Sequence, residues 1–300
     1  MMPNASTGIL ILDKPAGLTS HDVVKHVRRA TQIRQVGHAG TLDPMATGVL
    51  VVCLGQATRV SEYLLGHDKA YHATIRLGVE TNTYDADGEV VSTHAVDIDR
   101  AAVEQALAQF RGEIQQVPPM YSAIKREGQK LYELARQGIE IERAARAVII
   151  HSIELRRYQA PEVTVDVQCS AGTYIRSIAH DLGAALGTGG HLTALTRTAA
   201  GPFTIDQALP LATFEAAARE GRWRTHLHPI DTALNDWPLV VLSEPERLRA
   251  LKGAPIFSLK LSGTRCRAHD EQGNLIALLV FDQKKQWWRA EKVLALNLVP

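Results

Sequence analysis

The sequence predicts an α+β domain built on a mixed, largely antiparallel sheet flanked by helices, followed by a small C-terminal β-barrel. Three observations carry this expectation. Short apolar runs of strand character interleave with amphipathic helical stripes, but without the strict βαβ rhythm of a doubly wound fold. No G-x-G-x-x-G follows a strand into a helix and no Walker A sequence occurs, which leaves dinucleotide and P-loop chemistry unsupported. With 45% hydrophobic and 22% charged residues, a chain of 300 residues can bury a sizeable core without disulfide or metal staples.

Residues 8–13, Gly-Ile-Leu-Ile-Leu-Asp, read as a short buried strand that ends in the turn residues Lys14-Pro15-Ala16-Gly17. Ser20 stands as a helix N-cap with Asp22 in the first turn, and Val23, Val24, Val27 and Ala30 form an apolar stripe. His21, Lys25, His26, Arg28 and Arg29 lie largely off that stripe; a solvated face is the default reading and phosphate contact the alternative. A glycine-rich loop over 36–45 leads into a second buried strand at 47–55. Residues 70–78 alternate as a strand, and 97–110 read as a helix with Ile98, Val103, Leu107 and Phe110 inward. Strands follow at 148–157 and 162–170, the second alternating Val163, Val165, Val167, Cys169 against Thr164, Asp166, Gln168. A helix over 173–186 stops at the glycines of 187–190. Residues 229–238, with two prolines, mark a boundary between a domain over 1–237 and a piece over 238–300 with β-like runs at 274–280 and 286–289.

No run of 18 apolar residues suggests a membrane span, and the first seven residues lack the basic segment and apolar core of a signal peptide. Cys53, Cys169 and Cys266 are an odd, widely spaced set read as buried thiols, so a reducing cytoplasm is expected. The net charge is only +1, but it is uneven: +3 over 1–59, −6 over 60–238 and +4 over 239–300. Basic ends around an acidic middle would offer a surface to a polyanion, though ordinary scatter explains the totals about equally well.

Among the twelve histidines no set has metal-ligand spacing; His226 and His228, near Asp231, read as a surface pair, and no metal is expected. Ser170 has no base within local reach and no nucleophile elbow surrounds it. Asp43 differs. Gly37 and Gly40 free the backbone before it, Pro44 biases it towards an extended conformation, and His38 lies five residues upstream. A carboxylate on such a loop suits nucleophilic or acid–base work, although local chemistry alone favours a simple Asp-Pro turn. Tyr71 begins a strand and can present its ring to a planar ligand; an aromatic core residue is the usual explanation. Arg176 lies between Ile175 and Ile178, an apolar setting in which an arginine needs a partner, naturally a carboxylate. Residues 122–132 mix Lys125, Arg126, Lys130 and Tyr132 as nucleic-acid surfaces do, while a salt-bridged helix explains them nearly as well.

Taken together, these segments resemble the TruB family of tRNA pseudouridine synthases. The resemblance runs through Gly8-Ile-Leu-Ile-Leu-Asp-Lys-Pro-Ala-Gly-Leu-Thr-Ser20 and Val36-Gly-His-Ala-Gly-Thr-Leu-Asp-Pro-Met-Ala-Thr-Gly-Val-Leu50. It returns at Lys69-Ala-Tyr71, Pro119-Met-Tyr-Ser-Ala123, Lys130-Leu-Tyr132, Gly172-Thr-Tyr-Ile-Arg176 and Gly201-Pro-Phe203. It implies the pseudouridine synthase fold, a C-terminal RNA-binding barrel of the PUA type, and isomerisation of the uridine at position 55 in the T-loop of tRNA. It implies that Asp43 is the nucleophile, attacking C6 of the base or C1′ of the sugar. Tyr71 would stack on the base and help the C5 proton leave, and Arg176 would pair with Asp43 and lower its pKa. Tyr174 and Leu195 would line the base pocket, and His38 would act in base flipping or fill the vacated space. Lys14 and Pro15 would support the catalytic loop. No cofactor is implied, because uridine and pseudouridine are isomers. The expected partner is the tRNA T stem-loop, met by a monomer with no protein partner. A tRNA-binding or folding protein, and a guide-RNA-dependent synthase of the same superfamily, are the rival readings.

Overall fold

The computed structural model describes residues 7–294, except Ala123, Glu127, Ser258, Lys260 and Ser262; for Lys125, Arg126, Lys130 and Arg136 only the backbone is considered. The main sheet has ten strands: β1 (Gly8–Lys14), β2 (Val36–His38), β3 (Thr47–Leu54), β4 (Lys69–Leu77), β5 (Gly112–Gln116), β6 (Arg146–Gln159), β7 (Glu162–Cys169), β8 (Gly190–Ala200), β9 (Phe203–Thr204) and β10 (Leu209–Pro210). Their order is β10-β1-β3-β8-β4-β7-β6-β5, with β2 added to β3 and β9 to β8. Only β1–β10 and β3–β8 pair in parallel, so the sheet is mixed and largely antiparallel.

Helices α1 (Ser20–Thr31), α2 (Arg100–Ala108), α3 (Ile175–Ala185) and α4 (Leu211–Arg219) contribute to one large core. In α1, Val23, Val24 and Val27 are buried against Leu10, Leu12, Leu50 and Val52. Each fully buried valine contributes about 1.5–3 kcal/mol. The intervening residues Ile9, Ile11, Val49, Val51 and Cys53 belong to a second core on the opposite face. Burial on both faces explains why β1 and β3 read as unbroken apolar runs. Strands β4 and β7, by contrast, bury Ala73, Ile75, Val163, Val165 and Val167 and leave His72, Arg76, Glu162 and Gln168 exposed, hence their alternation.

Several expectations shift on contact with the structure. The N-cap of α1 is Thr19, whose side chain forms a capping box with Asp22; Ser20 is the first helical residue and turns its hydroxyl inward instead. Strand β8, the centre of the sheet, was not legible. Its sequence lacks alternation because register shifts between Leu192 and Ala194 and between Arg197 and Ala199 break the pattern of inward residues. Residues 122–132 are not one helix: Lys125–Arg126 and Gln129–Lys130 pair as a small hairpin, and a helix begins only at Leu131. The basic side chains invoked there lie outside the described residues.

The C-terminal piece forms a separate four-stranded sheet, β11 (Leu239–Val241), β12 (Arg265–His269), β13 (Leu275–Asp282) and β14 (Trp287–Val293), with α5 (Glu244–Leu251) beside it. One face holds its own core around Trp288, Cys266 and Leu279. On the other, Leu275, Leu278 and Leu294 join the second core of the main body together with Ile230, Ala233 and Leu234. The proline-bounded segment is therefore a packed seam rather than a loose tether. Among the described residues no helix is long and apolar enough to cross a membrane.

Strands β3 and β8 approach closely where Gly48 meets Arg197. Gly48 has φ +96°, and a Cβ there would lie 2.3 Å from the Arg197 carbonyl oxygen and 2.9 Å from its nitrogen. Both obstacles are backbone and cannot yield without parting β3 from β8. Gly48→Ala is expected to destabilise the fold by about 3 kcal/mol or more. Gly172→Ala, at φ +87° with nothing within 4 Å of the new Cβ, is expected to cost only about 1 kcal/mol. Equal denaturation midpoints for the two variants would contradict the assignment of Gly48 as a packing constraint.

Candidate active site

Asp43 stands between two pinned residues. After β2 the Ala39 N–H donates to the Val51 carbonyl (2.9 Å), and Gly40 turns the chain at φ +115°. Just before Asp43, the Leu42 N–H donates to Ser20 Oγ (2.8 Å), and that hydroxyl donates back to the Leu42 carbonyl (3.1 Å). Just after it, the Pro44 carbonyl accepts from the Gly17 N–H (2.9 Å) and from Lys14 Nζ (3.1 Å). Lys14 is fully buried and also donates to the carbonyls of Pro15 (2.9 Å) and Leu18 (2.6 Å). Burial lowers its pKa to about 8, with the Asp43 charge opposing. Pro15 itself is exposed and takes part through its carbonyl alone. The loop is thus held on both flanks while the Asp43 side chain remains 32% exposed.

Arg176 reaches Asp43 from the first turn of α3. Its Nη2 donates to Asp43 Oδ1 at 2.9 Å, and its Nε lies 2.9 Å from Asp43 Oδ2, a two-point fork. The side chain is 5% exposed. Nη1 lies 3.2 Å from Asp85 Oδ2 and donates to the Thr83 carbonyl (3.3 Å); Nη2 also donates to the Tyr121 carbonyl (2.9 Å). The start of α3 is clamped in turn. Gln116, at the end of β5, accepts from the Tyr174 N–H (2.7 Å) and donates to the Tyr174 carbonyl (3.0 Å). Ser177 Oγ donates to the Val117 carbonyl (2.8 Å).

The electrostatics depart from expectation in one respect. Burial, the largest influence on Asp43, pushes its pKa above the ordinary carboxylate value. Arg176 pulls it back by charge and hydrogen bonding, Asp85 pushes it up, and Lys14 pulls weakly down. The expected net lowering by Arg176 is outweighed by desolvation. The result is a carboxylate more basic than usual whose anion is nevertheless met by a fixed cation.

Of the other residues singled out in the sequence, Tyr71 and Tyr174 come within electrostatic reach of Asp43, whose charge adds to the burial that raises both phenols. Tyr71 lies on β4 across from Val167 and Arg197, and Tyr174 is the N-cap of α3. Leu195 is buried on β8 in the main core. His38 sits on the opposite limb of the loop; burial, then the charges of Arg197 and His21, favour its neutral form. His226 and His228 do not share a site with Asp231. His228 is engaged in a main-chain bridge to Ile9, and Asp231 pairs with Arg267 and His269.

Sequence reasoning missed Ser20 as a loop anchor, Asp85 as the second carboxylate on Arg176, and Arg197. Asp85 is 7% exposed and accepts from Thr83 Oγ1 (2.6 Å) and the Asp87 N–H (3.1 Å). The signal for Arg197 was available, since it too is an arginine in a weakly polar run; nothing local marked Asp85 or Ser20.

Comparison with known proteins agrees with this geometry. The family model described as TruB family pseudouridylate synthase (N terminal domain) matches residues 28–175, and that of the tRNA pseudouridylate synthase B C-terminal domain matches 176–235. The chain is 46% identical over 284 residues to a tRNA pseudouridine synthase B of Burkholderia pseudomallei (strain 668), covering 95% of this chain and 93% of that protein. It is 52% identical over 235 residues to the protein of that name in Aromatoleum aromaticum, covering 78% and 76% respectively. Among solved structures, a Cbf5-Nop10-Gar1 complex includes a chain that matches with TM-score 0.75 and 27% identity, over 98% of this chain and 89% of that one. A chain in an H/ACA RNP bound to a substrate RNA containing 2'-deoxyuridine matches with TM-score 0.72 and 26% identity, over 96% and 84%. A pinned loop that presents one ion-paired aspartate, in a chain with these relatives, makes the assignment plain: the chain belongs to the TruB family of pseudouridylate synthases.

Proposed function

We propose that this protein converts the T-loop uridine at position 55 of tRNA to pseudouridine, with Asp43 as the nucleophile. The observation that carries the reading is the Asp43–Arg176 fork on a loop pinned at Leu42 and Pro44. A uridine stacked inside an RNA loop is out of reach of any side chain, so the base must first be turned out of the stack. The Asp43 carboxylate then attacks the extruded nucleotide and forms a transient bond to it, the N1–C1′ bond breaks, the uracil turns, a C5–C1′ bond forms, and the bond to Asp43 breaks to return the free carboxylate. The proton on C5 is lost and N1 gains one, so atoms and charge balance without a redox partner. Arg176 holds the anion in its attacking position, and the raised basicity of Asp43 makes that carboxylate a stronger nucleophile wherever it is ionised. Tyr71 stacks on the uracil and assists loss of the C5 proton, Tyr174 and Leu195 line the pocket, and neutral His38 enters the gap left by the base. Lys14 and the Pro15 carbonyl keep the loop in place.

Residues 238–300 serve in this reading as a PUA-like RNA-binding domain appended to a catalytic domain over 1–237. The bridge between Ile256 and Trp288, which brings the chain after α5 back onto β14, supports a barrel-like arrangement. Exposed Lys25, Arg29 and Arg34 at one end of the chain, and Lys284, Lys285 and Arg289 at the other, supply cations for stem and loop phosphates. The protein acts as a cytoplasmic monomer without a guide RNA. Identity of 46–52% to tRNA pseudouridine synthases B, against 25–27% to chains from Cbf5 and H/ACA complexes, favours the stand-alone reading.

Three measurements test this reading. On an unmodified tRNA transcript with a chelator present, the wild type should form pseudouridine at the T-loop uridine. Asp43→Asn should form none while binding the same RNA within about threefold; product from Asp43→Asn would remove the nucleophile assignment. The single-turnover rate should fall as pH drops through the Asp43 pKa, because only the anion attacks. That limb should lie above the ordinary aspartate value of about 3.9, since burial raises Asp43; a limb at or below it, in a protein still folded, would contradict the burial argument. Affinity for tRNA should weaken about 100-fold between about 50 and about 200 mM salt, and a flat response would discard the phosphate-contact surface.

A further inference from the structure

Arg197 is a buried cation that the chemistry above does not use. Its side chain is 1% exposed, and among the described residues no carboxylate pairs with it. Its donors go to backbone carbonyls: Nε to Val49 (2.7 Å), Nη1 to Thr41 (3.3 Å) and Nη2 to Gly40 (3.1 Å). Carbonyl dipoles offset only part of the cost of burying a guanidinium, and an apolar side chain of similar volume would serve a purely structural position better. The acceptors themselves suggest another role. Gly40 and Thr41 form the limb that enters the Asp43 loop, and Val49 follows its exit. The single fork therefore ties the two ends of the loop together.

The backbone of Arg197 adds a second connection. It pairs with Gly48 on one side and Tyr71 on the other, so β8 stands between the strand that carries the loop and the strand that carries the tyrosine. The approach is close because Gly48 lacks a Cβ. Across that pairing, Arg197 also opposes, by charge and hydrogen bonding, the burial that raises the Tyr71 phenol.

We propose that Arg197 is a positioning residue for the isomerisation, one that sets the Tyr71 ring and the Gly40–Thr41 limb of the Asp43 loop in a fixed relation to each other. The proposal rests on the reading that Tyr71 meets the extruded uracil. Arg197 does not touch the RNA; it determines where the platform lies relative to the nucleophile. A displacement of about 1 Å between such groups is enough to cost about 100-fold in rate.

The test has an RNA-free arm and a kinetic arm. Protein grown with 3-fluorotyrosine gives a fluorine resonance for each tyrosine, and the one lost in Tyr71→Phe is that of Tyr71. Arg197→Met is expected to shift that resonance and leave the others in place. An unmoved Tyr71 resonance, or movement of all the resonances together, would overturn the proposal. In single turnover on the tRNA transcript, Arg197→Met should slow the reaction about 100-fold with RNA affinity within about threefold, and Arg197→Lys should recover about tenfold of that loss. A defect confined to RNA affinity would overturn it too. Should Arg197→Met not fold, Arg197→Lys carries both arms, with a smaller resonance shift and an about tenfold slower turnover expected. If Tyr71→Phe reacts at the wild-type rate while the resonance shift is found, it is the role of Tyr71 that fails, not its contact with Arg197.

Discussion

A carboxylate inside a protein becomes more basic as it loses solvent, and it stays charged only where a fixed cation meets it. Burial supplies the first property and Arg176 the second, and the rest of the main domain is arranged around that opposition. Arg176 is itself nearly buried, so it too needs neutralising, and Asp85 and the carbonyls of Thr83 and Tyr121 share that task. Removing either carboxylate would leave the guanidinium partly uncompensated. The three-charge arrangement is therefore cooperative, and its position depends on the clamp from Gln116 to Tyr174 at the start of α3.

The same constraint explains the shape of the sheet. The loop that bears Asp43 leaves β2 and enters β3, while its cation arrives from a helix between β7 and β8. Bringing them together requires β3 and β8 to lie side by side, which they do in parallel at Thr47–Thr196 and Gly48–Arg197. Gly48 permits that approach. Two largely antiparallel halves thus meet at one short parallel junction, and the Asp43 loop lies beside that junction.

The C-terminal sheet is joined to this body by a seam of mixed character. Tyr63 and Trp237 meet edge to face at 4.9 Å, and the Arg265 guanidinium lies over both rings at 5.4 and 5.6 Å. Tyr63 donates to Glu291 (3.0 Å), and Lys292 pairs with Glu62 (2.7 Å). With Leu275, Leu278 and Leu294 in the shared core, these contacts hold the C-terminal sheet in a set orientation to the main body.

The sequence by itself determined the local parts. Apolar runs, alternation and helical stripes identified β1, β3, β4, β6, β7 and α1 to within a few residues, because burial on one or both faces leaves a direct imprint on residue order. Asp43 was distinctive for its glycines and proline, and an arginine at 176 between isoleucines announced a need for a carboxylate without naming it. The tertiary structure decided which carboxylates answered, and it found two, since Asp85 lies in an ordinary-looking turn whose proximity to Arg176 arises only from folding. It also decided the place of β8, whose irregular register hides its period, and the N-cap of α1, where Ser20 is drawn inward to anchor Leu42. The direction of the Asp43 pKa belongs to the same class. A charge pair is readable from residue types, but desolvation depends on everything packed around the pair, and only the folded chain brings that together.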